Sequence, residues 1–508
     1  MQSPDTDSSV TQAHQVCRSC KIRKRKCNKT FPRCSSCTKR NLPCEYSRPT
    51  STRHSAFSSA SSRYQWSQAS PDQSSNRSSE TQSINYPTLL FLDPSILQHG
   101  QVEIPPAAAS VPPHILRLIG DVNDIHDTAA KFFNHIHLWM PFISKKRFYD
   151  VHLRTLPPSQ PDVILLLVGL KLITTFPPVK PRDARTPLYY AAKHFYLDLE
   201  GDGAFSILIL QAGVLLGLYE IGHGIYPAAF LTIGACARYA HALGINVSKT
   251  VKSRKVLTLV EAEERRRVWW AIMILDRFVN IGCPGRPFAT AEPELNDLLP
   301  ADDAEWDRGI VNPDNLCTLL EPRTGHMSRF ALLCQAARLL GQVLHRLSSD
   351  AAELEDDDVW IQLDRTLQSM LAASLDVEVP DDDQIAFVYS CLVALQNPWL
   401  SPPNGVPSER SRRVQEVIQK IIATVKLNLT DKHCYMGRNP DDMSPWGLFF
   451  AYRICVHHAS TVDHGTCSPD FDQVAKSMRE TFSTIDKRWN VAGAYLQLLE
   501  AQEAMRFS

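Results

Sequence analysis

Six cysteines crowd the start of the chain with strict spacing: Cys17-x2-Cys20-x6-Cys27-x6-Cys34-x2-Cys37-x6-Cys44. The pattern is one half, C-x2-C-x6-C, written twice with six residues between the copies. Three chemistries use six thiols. Three disulfides would allow fifteen pairings, but MQSPDTDSSV at the N-terminus is polar, lacks an apolar signal core and predicts a chain that is not secreted. An iron–sulfur site rarely lies inside a dense basic run. Zinc fits best. Two tetrahedral ions need eight ligand positions, and six soft thiolates supply eight if two of them bridge both metals. The repeat makes equivalent positions in the two halves the natural bridges.

The charge pattern adds to this. The 508 residues carry 54 Lys and Arg against 54 Asp and Glu. Between Cys17 and Arg48, however, stand eleven basic residues and one acid, Glu45. Two zinc ions and six thiolates would still leave this head at about +8. A small basic head on an acidic remainder suggests a reader of polyanions. The run KIRKRK, Lys21 to Lys26, also suits a nuclear-import signal.

Residues 17–44 resemble the fungal Zn2Cys6 binuclear-cluster DNA-binding domain in all six cysteines, the basic run and Pro32 between the halves. The resemblance implies two Zn2+ ions. It makes Cys17 and Cys34 the bridges, with Cys20 and Cys27 completing one site and Cys37 and Cys44 the other. Each half is expected to form a short helix after its first cysteine pair. The resemblance puts base contacts at Arg23 and Lys24, with Lys24 favoured, and a CGG-like half-site on double-stranded DNA. Lys21, Arg25, Lys26 and Lys39 are expected on phosphates, where contacts position the domain without reading sequence. One head reading about three base pairs cannot be selective alone.

Residues 51–83 hold 13 serines in 33 positions, the composition of a flexible linker. No heptad run occurs between Arg48 and Tyr86, so the coiled coil that often dimerises such proteins is not expected there. Homodimerisation through the body and binding as a monomer both stay open. The apolar patch Leu89 to Leu97 is expected to dock back on the body.

From about residue 112 the pattern is helical. Phe132, Ile136 and Trp139 share a helical face, and Val414, Val417, Ile418, Ile421, Ile422 and Val425 keep an apolar stripe. Apolar residues make up 44% of the chain, enough for a sizeable core. No apolar run is long enough to span a membrane, and Ala204 to Tyr219 reads as a buried helix. The fold class is therefore a small zinc-stabilised two-helix cluster domain, a disordered Ser-rich linker and a large all-α helical body of packed hairpins. The remaining cysteines (Cys236, Cys283, Cys317, Cys334, Cys391, Cys434, Cys455, Cys467) are expected as small buried hydrophobes.

Residues 132–148, 226–246 and 263–290, continued by ELNDLLP at 294–300, are similar to the fungal transcription factor regulatory domain, or middle homology region. Such regions often control activity, sometimes by sensing a metabolite, and no ligand is named by these residues. Arg265, Arg266 and Arg267 beside Trp269 and Trp270 are read as one packed helix whose arginines pair with Glu261, Glu263, Glu264 or Asp276. Gly285-Arg286-Pro287 reads as the turn that closes it. The acidic runs Glu353 to Asp358 and Asp381 to Asp383 suit either coactivator recruitment or solvated loops.

No phosphate-binding, nucleophile-elbow or zinc-protease signature occurs, and His135, His137, His457 and His458 lack companion ligands, so no catalytic residue is assigned. The expected domains are a disordered N-terminus (1–14), the cluster domain (15–48), a Ser/Pro-rich linker (49–111), the regulatory domain (112–310) and a C-terminal helical part (311–508), regulatory or activating. The expected function is a nuclear, zinc-dependent, sequence-specific regulator of RNA polymerase II genes, an activator of a metabolic or secondary-metabolite pathway. The alternatives are a repressor and a zinc-stabilised protein-interaction module without base-specific binding.

Overall fold

The computed structural model describes residues 16–23, 25–30, 32–40, 42–44, 46, 110–154, 156–178, 182–245, 258–320, 327–348, 357–377, 380–400, 409–430, 439–463 and 467–506. Residues 49–109 of the expected linker, including the patch Leu89 to Leu97, together with Cys434 and Lys24, lie outside them. The chain divides into two compact units, Met1–Gln82 and Ser83–Ser508.

The first unit contains α1 (Arg18–Ile22) and α2 (Ser35–Thr38). Its buried centre is made of cysteines, with Cys27, Leu42, Cys44 and Tyr46 packed against Cys17, Cys20, Cys34 and Cys37.

The second unit is helical, and no β-strand occurs among its described residues, although an antiparallel bridge joins Leu298 to Thr318. The helices are α3 (Pro113–Ile119), α4 (Val122–Lys131), α5 (Pro161–Thr174), α6 (Pro187–Gly201), α7 (Ile207–Gly222), α8 (Ala228–Ala242) and α9 (Leu259–Phe278). They continue with α10 (Arg329–Ser348), α11 (Asp357–Leu375), α12 (Asp382–Leu400), α13 (Glu409–Thr430), α14 (Leu448–Asp463), α15 (Pro469–Ile485) and α16 (Val491–Arg506). Their starts are written locally. Asp121 and Asp124 form a capping box for α4, and Thr258 and Glu261 form one for α9. Thr186 caps α6 and Ser468 caps α15, each with proline at the first helical position.

Neighbouring helices pack in series: α5 on α7, α7 on α8, α8 on α9, α9 on α10, α10 on α12, α12 on α14, and α14 on α15 and α16. The expected hairpin architecture is therefore what forms. One continuous core runs from Ile115 to Leu499. Helix α7 is its axle, buried from Leu208 to Gly222, so its sequence is apolar all round rather than striped. No described helix is long and apolar enough to cross a membrane. The Val414-to-Val425 stripe is buried along α13. Phe132 and Ile136 face the core from a wide π-helical turn, Phe132–Ile136, and Trp139 follows it into the aromatic cluster around Trp446.

Four of the scattered cysteines are buried on helices: Cys236, Cys334, Cys391 and Cys455. Cys283 is exposed, and Cys317 and Cys467 are half-buried. These three sit in turns and connections outside the helical core faces, which corrects the expectation of burial for them.

Helix α9 carries the charged run of the regulatory region inward. Glu263 is fully buried and accepts from Arg267 Nε and from the Ala301 amide, both at 2.8 Å, and Arg266 also pairs with it. Arg267 donates to the carbonyls of Pro141 (3.0 Å) and Ala301 (2.7 Å), reaches Asp303 at 2.9 Å, and lies over the Trp306 ring at 4.8 Å. Glu264 accepts from the Ser144 amide and Gln211, each at 3.0 Å, and pairs with Arg147. Arg265 instead donates to the Leu243 carbonyl at 3.0 Å. The expected packed helix is thus found, with ion pairs for Arg266 and Arg267. A buried ion of this kind is tolerable because its remaining hydrogen-bonding capacity is filled, and removing one partner would cost about 3–5 kcal/mol.

Candidate metal centre and nucleic-acid interface

Cys17 and Cys34 are the N-caps of α1 and α2. A thiol at the cap and another three residues on lie one turn apart, so each C-x2-C pair presents both sulfurs to one point. The helices therefore begin inside the cysteine pairs, at Arg18 and Ser35, and not after them as the spacing had suggested.

The six sulfurs gather into two sets, Cys17, Cys20, Cys27 and Cys34, and Cys17, Cys34, Cys37 and Cys44, which share Cys17 and Cys34. In the first set Cys17–Cys34 and Cys20–Cys34 are 3.7 Å apart and Cys17–Cys27 is 3.8 Å; in the second Cys17–Cys37 is 3.6 Å. A tetrahedron with metal–sulfur bonds of about 2.3 Å has edges of about 3.8 Å. The donor set therefore fits two zinc ions sharing two thiolates, in chemistry and in spacing. Burial pushes the Cys17 and Cys37 thiols up, so protons compete for these sulfurs until a divalent cation displaces them. At Cys27 and Cys44 burial also raises, but hydrogen bonds win, and Cys27 comes down to about 6. The Cys34 amide donates to the Cys44 sulfur at 3.2 Å and the Cys37 amide to the Cys34 sulfur at 3.4 Å.

Side chains that the spacing did not single out tie the connecting loop to the second half and its end, and Ser19 ties the first half to the second. Arg33 Nη2 donates to the Leu42 carbonyl at 2.6 Å. Asn28 Oδ1 accepts from the Ser35 amide at 2.9 Å, Tyr46 donates to the Thr30 carbonyl at 2.9 Å, and Ser19 donates to the Pro43 carbonyl. Lys29 holds the loop in a left-handed conformation, φ 60°. The available signal was their placement between or just beyond the ligands; their partners depend on the loop path.

The basic run does not ride on one helix. Lys21 is in α1, Arg23 is its C-cap, and Arg25 and Lys26 lie beyond it. The helix ends there because the chain must turn back to deliver Cys27 to the sulfur cluster, and the Arg25 amide closes that turn on the Cys20 carbonyl at 2.9 Å. Lys21, Arg23, Arg25, Lys26 and Lys39 are all exposed. Lys24 falls outside the described residues.

Among the described residues no histidine belongs to a metal-ligating group. His135 pairs with Asp442 at 2.6 Å, His137 with Asp307 at 2.8 Å and His458 with Asp472 at 3.3 Å, while His457 packs on Phe471. Among the described residues the two cysteine sets alone could hold a metal. Asp381 to Asp383 open α12, where the Asp381 side chain accepts from the Asp383 amide at 3.1 Å.

Residues 15–53 match the fungal Zn(2)-Cys(6) binuclear cluster domain, which binds two zinc ions through six cysteines, and residues 129–376 match the fungal specific transcription factor domain. Transcription factor BOA15 of Botryotinia fuckeliana is 38% identical over 149 residues, covering 29% of this chain and 82% of that protein. The pigment biosynthesis transcriptional activator pigB of Monascus ruber is 22% identical over 417 residues, 73% of this chain and 71% of its own. The depudecin biosynthesis cluster-specific transcription activator DEP6 of Fusarium langsethiae is 24% identical over 176 residues, 32% and 28% of the two chains. No solved structure matches. These relatives are regulators and not enzymes, and the cluster match precedes the transcription factor domain match along the chain. The chain belongs to the fungal Zn(2)-C6 transcription factors.

Proposed function

We propose that this protein is a nuclear activator that reads CGG-like triplets in double-stranded DNA and drives RNA polymerase II genes of a secondary-metabolite pathway. The exposed basic side chains beside the shared-sulfur cluster carry the reading. In it Cys17 and Cys34 bridge the two ions, Cys20 and Cys27 complete one coordination shell and Cys37 and Cys44 the other. Arg23 and Lys24 donate to guanine edges in the major groove. Lys21, Arg25, Lys26 and Lys39 neutralise phosphates. The cluster domain spans 15–48, and 49–111 tethers it to the regulatory body at 112–310 and the C-terminal part at 311–508. Pathway activation is supported by the relatives named for pigment and depudecin biosynthesis.

The test is selection from a random duplex pool by the zinc-loaded full chain. Enrichment of CGG-like triplets is expected, with a fixed spacing between two triplets if two copies bind together. Zinc-loaded protein that enriches nothing overturns the reading in favour of a protein-interaction module. The roles within the head separate in the same assay. Lys24→Ala should lose about 1–3 kcal/mol of preference for the correct base. Lys39→Ala should weaken all sequences alike and lower the salt slope by about 1.

A further inference from the structure

A cavity of about 390 Å³ opens where the end of α7, the start of α8, the end of α9, the start of α14 and the start of α16 come together. Its volume is that of a small-molecule site. The walls are mostly apolar and aromatic, including Tyr226, Phe230, Phe278, Leu448 and Tyr495. Among the described residues they contain one charged residue, Arg286, and no carboxylate. Arg286 belongs to the Gly285-Arg286-Pro287 turn, where Gly285 has φ +96°, a conformation that favours glycine.

The chain just beyond that turn is hydrogen-bonded to α9. Asp276 accepts from the Thr290 amide at 2.9 Å and Thr290 Oγ1 at 2.7 Å, and Arg277 donates to the Thr290 hydroxyl at 2.9 Å. Arg286 itself is exposed and has no carboxylate partner among the described residues; its guanidinium lies 6.0 Å from the centre of the Phe230 ring. The fully buried Arg267 and Arg277 are ion-paired, and the equally buried Arg488 donates to the Ile173 carbonyl. Arg286 also borders a second chamber of about 200 Å³, which is lined by Asn280. Asn280 is 1% exposed, and its Oδ1 has no hydrogen-bond partner among the described residues.

We propose that this cavity binds an amphipathic organic anion, an aromatic or otherwise hydrophobic body bearing a carboxylate or equivalent acid. The body would lie on Phe230, Phe278 and Leu448. The acid would take the free donors of Arg286, a charge-assisted contact at the edge of a low-dielectric wall. The ligand would touch helices from both ends of the core, α7 to α9 and α14 to α16. Binding would thus stabilise their junction. The inference is independent of DNA recognition, and its test involves no DNA.

Anilinonaphthalene sulfonate, an aromatic anion whose fluorescence rises in apolar surroundings, is titrated into the zinc-loaded full chain beside its uncharged parent phenylnaphthylamine. Saturable binding at one site per chain is expected for both. Arg286→Ala should weaken the sulfonate by about tenfold or more and leave the neutral parent within about twofold. Arg286→Lys, which keeps the charge but not the planar donor fork, should fall between. Circular dichroism confirms that each variant keeps its helix content, and the Lys variant carries the comparison should the Ala variant unfold. No saturable binding by the native chain overturns the proposal. So does equal weakening of both probes, or unchanged sulfonate affinity in the folded variants.

Discussion

Cys17 and Cys34 do two things at once: each stands at the N-cap position of a short helix, and each belongs to both sulfur sets. Cys27 has a narrower part. It sits in the first set alone, reached by the turn that ends α1. Cys27→Ala leaves that set three sulfurs, and a structural zinc site with three protein ligands is open to water. The variant should retain fewer than two zinc ions per chain in a metal-release assay and lose DNA binding, because cluster and fold form together. A Cys27→Ala chain that keeps two ions and binds DNA would show that the sulfur sets are not the metal sites. The ligands were legible in the sequence since thiolate chemistry demands both residue type and spacing. Asn28, Arg33 and Tyr46 were not, because their partners at Ser35, Leu42 and Thr30 meet them only once the loop is folded.

Helix α7 shows what an element can tolerate. Its periodicity is blurred because every face is covered, and small residues set how close its neighbours come. A Cβ at Gly222 would overlap the ring of Trp489, itself fully buried against α7 from the far end of the chain. Gly222→Ala should therefore destabilise the body by about 1–3 kcal/mol through overpacking. Gly234 on α8 is the control, since a Cβ there meets nothing within 4 Å. Gly234→Ala should be neutral or stabilise by up to about 1 kcal/mol, as helix propensity alone requires. The denaturant midpoints of the two variants should move in opposite directions or differ by the packing cost. Equal midpoints would mean that Trp489 yields freely. Element types here followed from capping residues and apolar spacing, while the closeness of α7 to Trp489 did not, as no local pattern encodes it.

Across the whole molecule, buried histidines tie stability to pH. Burial pushes His457 down to about 4, with the positive charge of Arg453 and the neighbouring His458 adding to it. Burial also lowers His137, opposed by Asp307, and holds His223 well below the ordinary value of 6.5, with Arg488 adding. A group with a depressed folded pKa binds more protons unfolded than folded, so stability rises with pH in that window. The contribution is full above about 6.5 and is lost as pH falls towards about 4 at His457. The melting temperature of the chain should fall between pH 7.5 and pH 5, and His457→Gln should flatten that dependence. A melting temperature that stays level over the interval in the native chain would remove the account.

The sequence by itself determined the chemistry of the head and the helical class of the body. Both are encoded over short spans: thiols at fixed spacing, capping residues before proline, and the Val414-to-Val425 stripe that α13 buries. The tertiary structure alone decided which charges became internal. Glu263 meets the Ala301 amide 38 residues away, and His135 meets Asp442 across 307 residues. It also decided that Arg286, an ordinary turn residue in sequence, borders an apolar chamber. A chamber is a gap between elements distant in the chain, and its contents depend on how helices stack, which is set by packing over the whole core and not by any local run of residues.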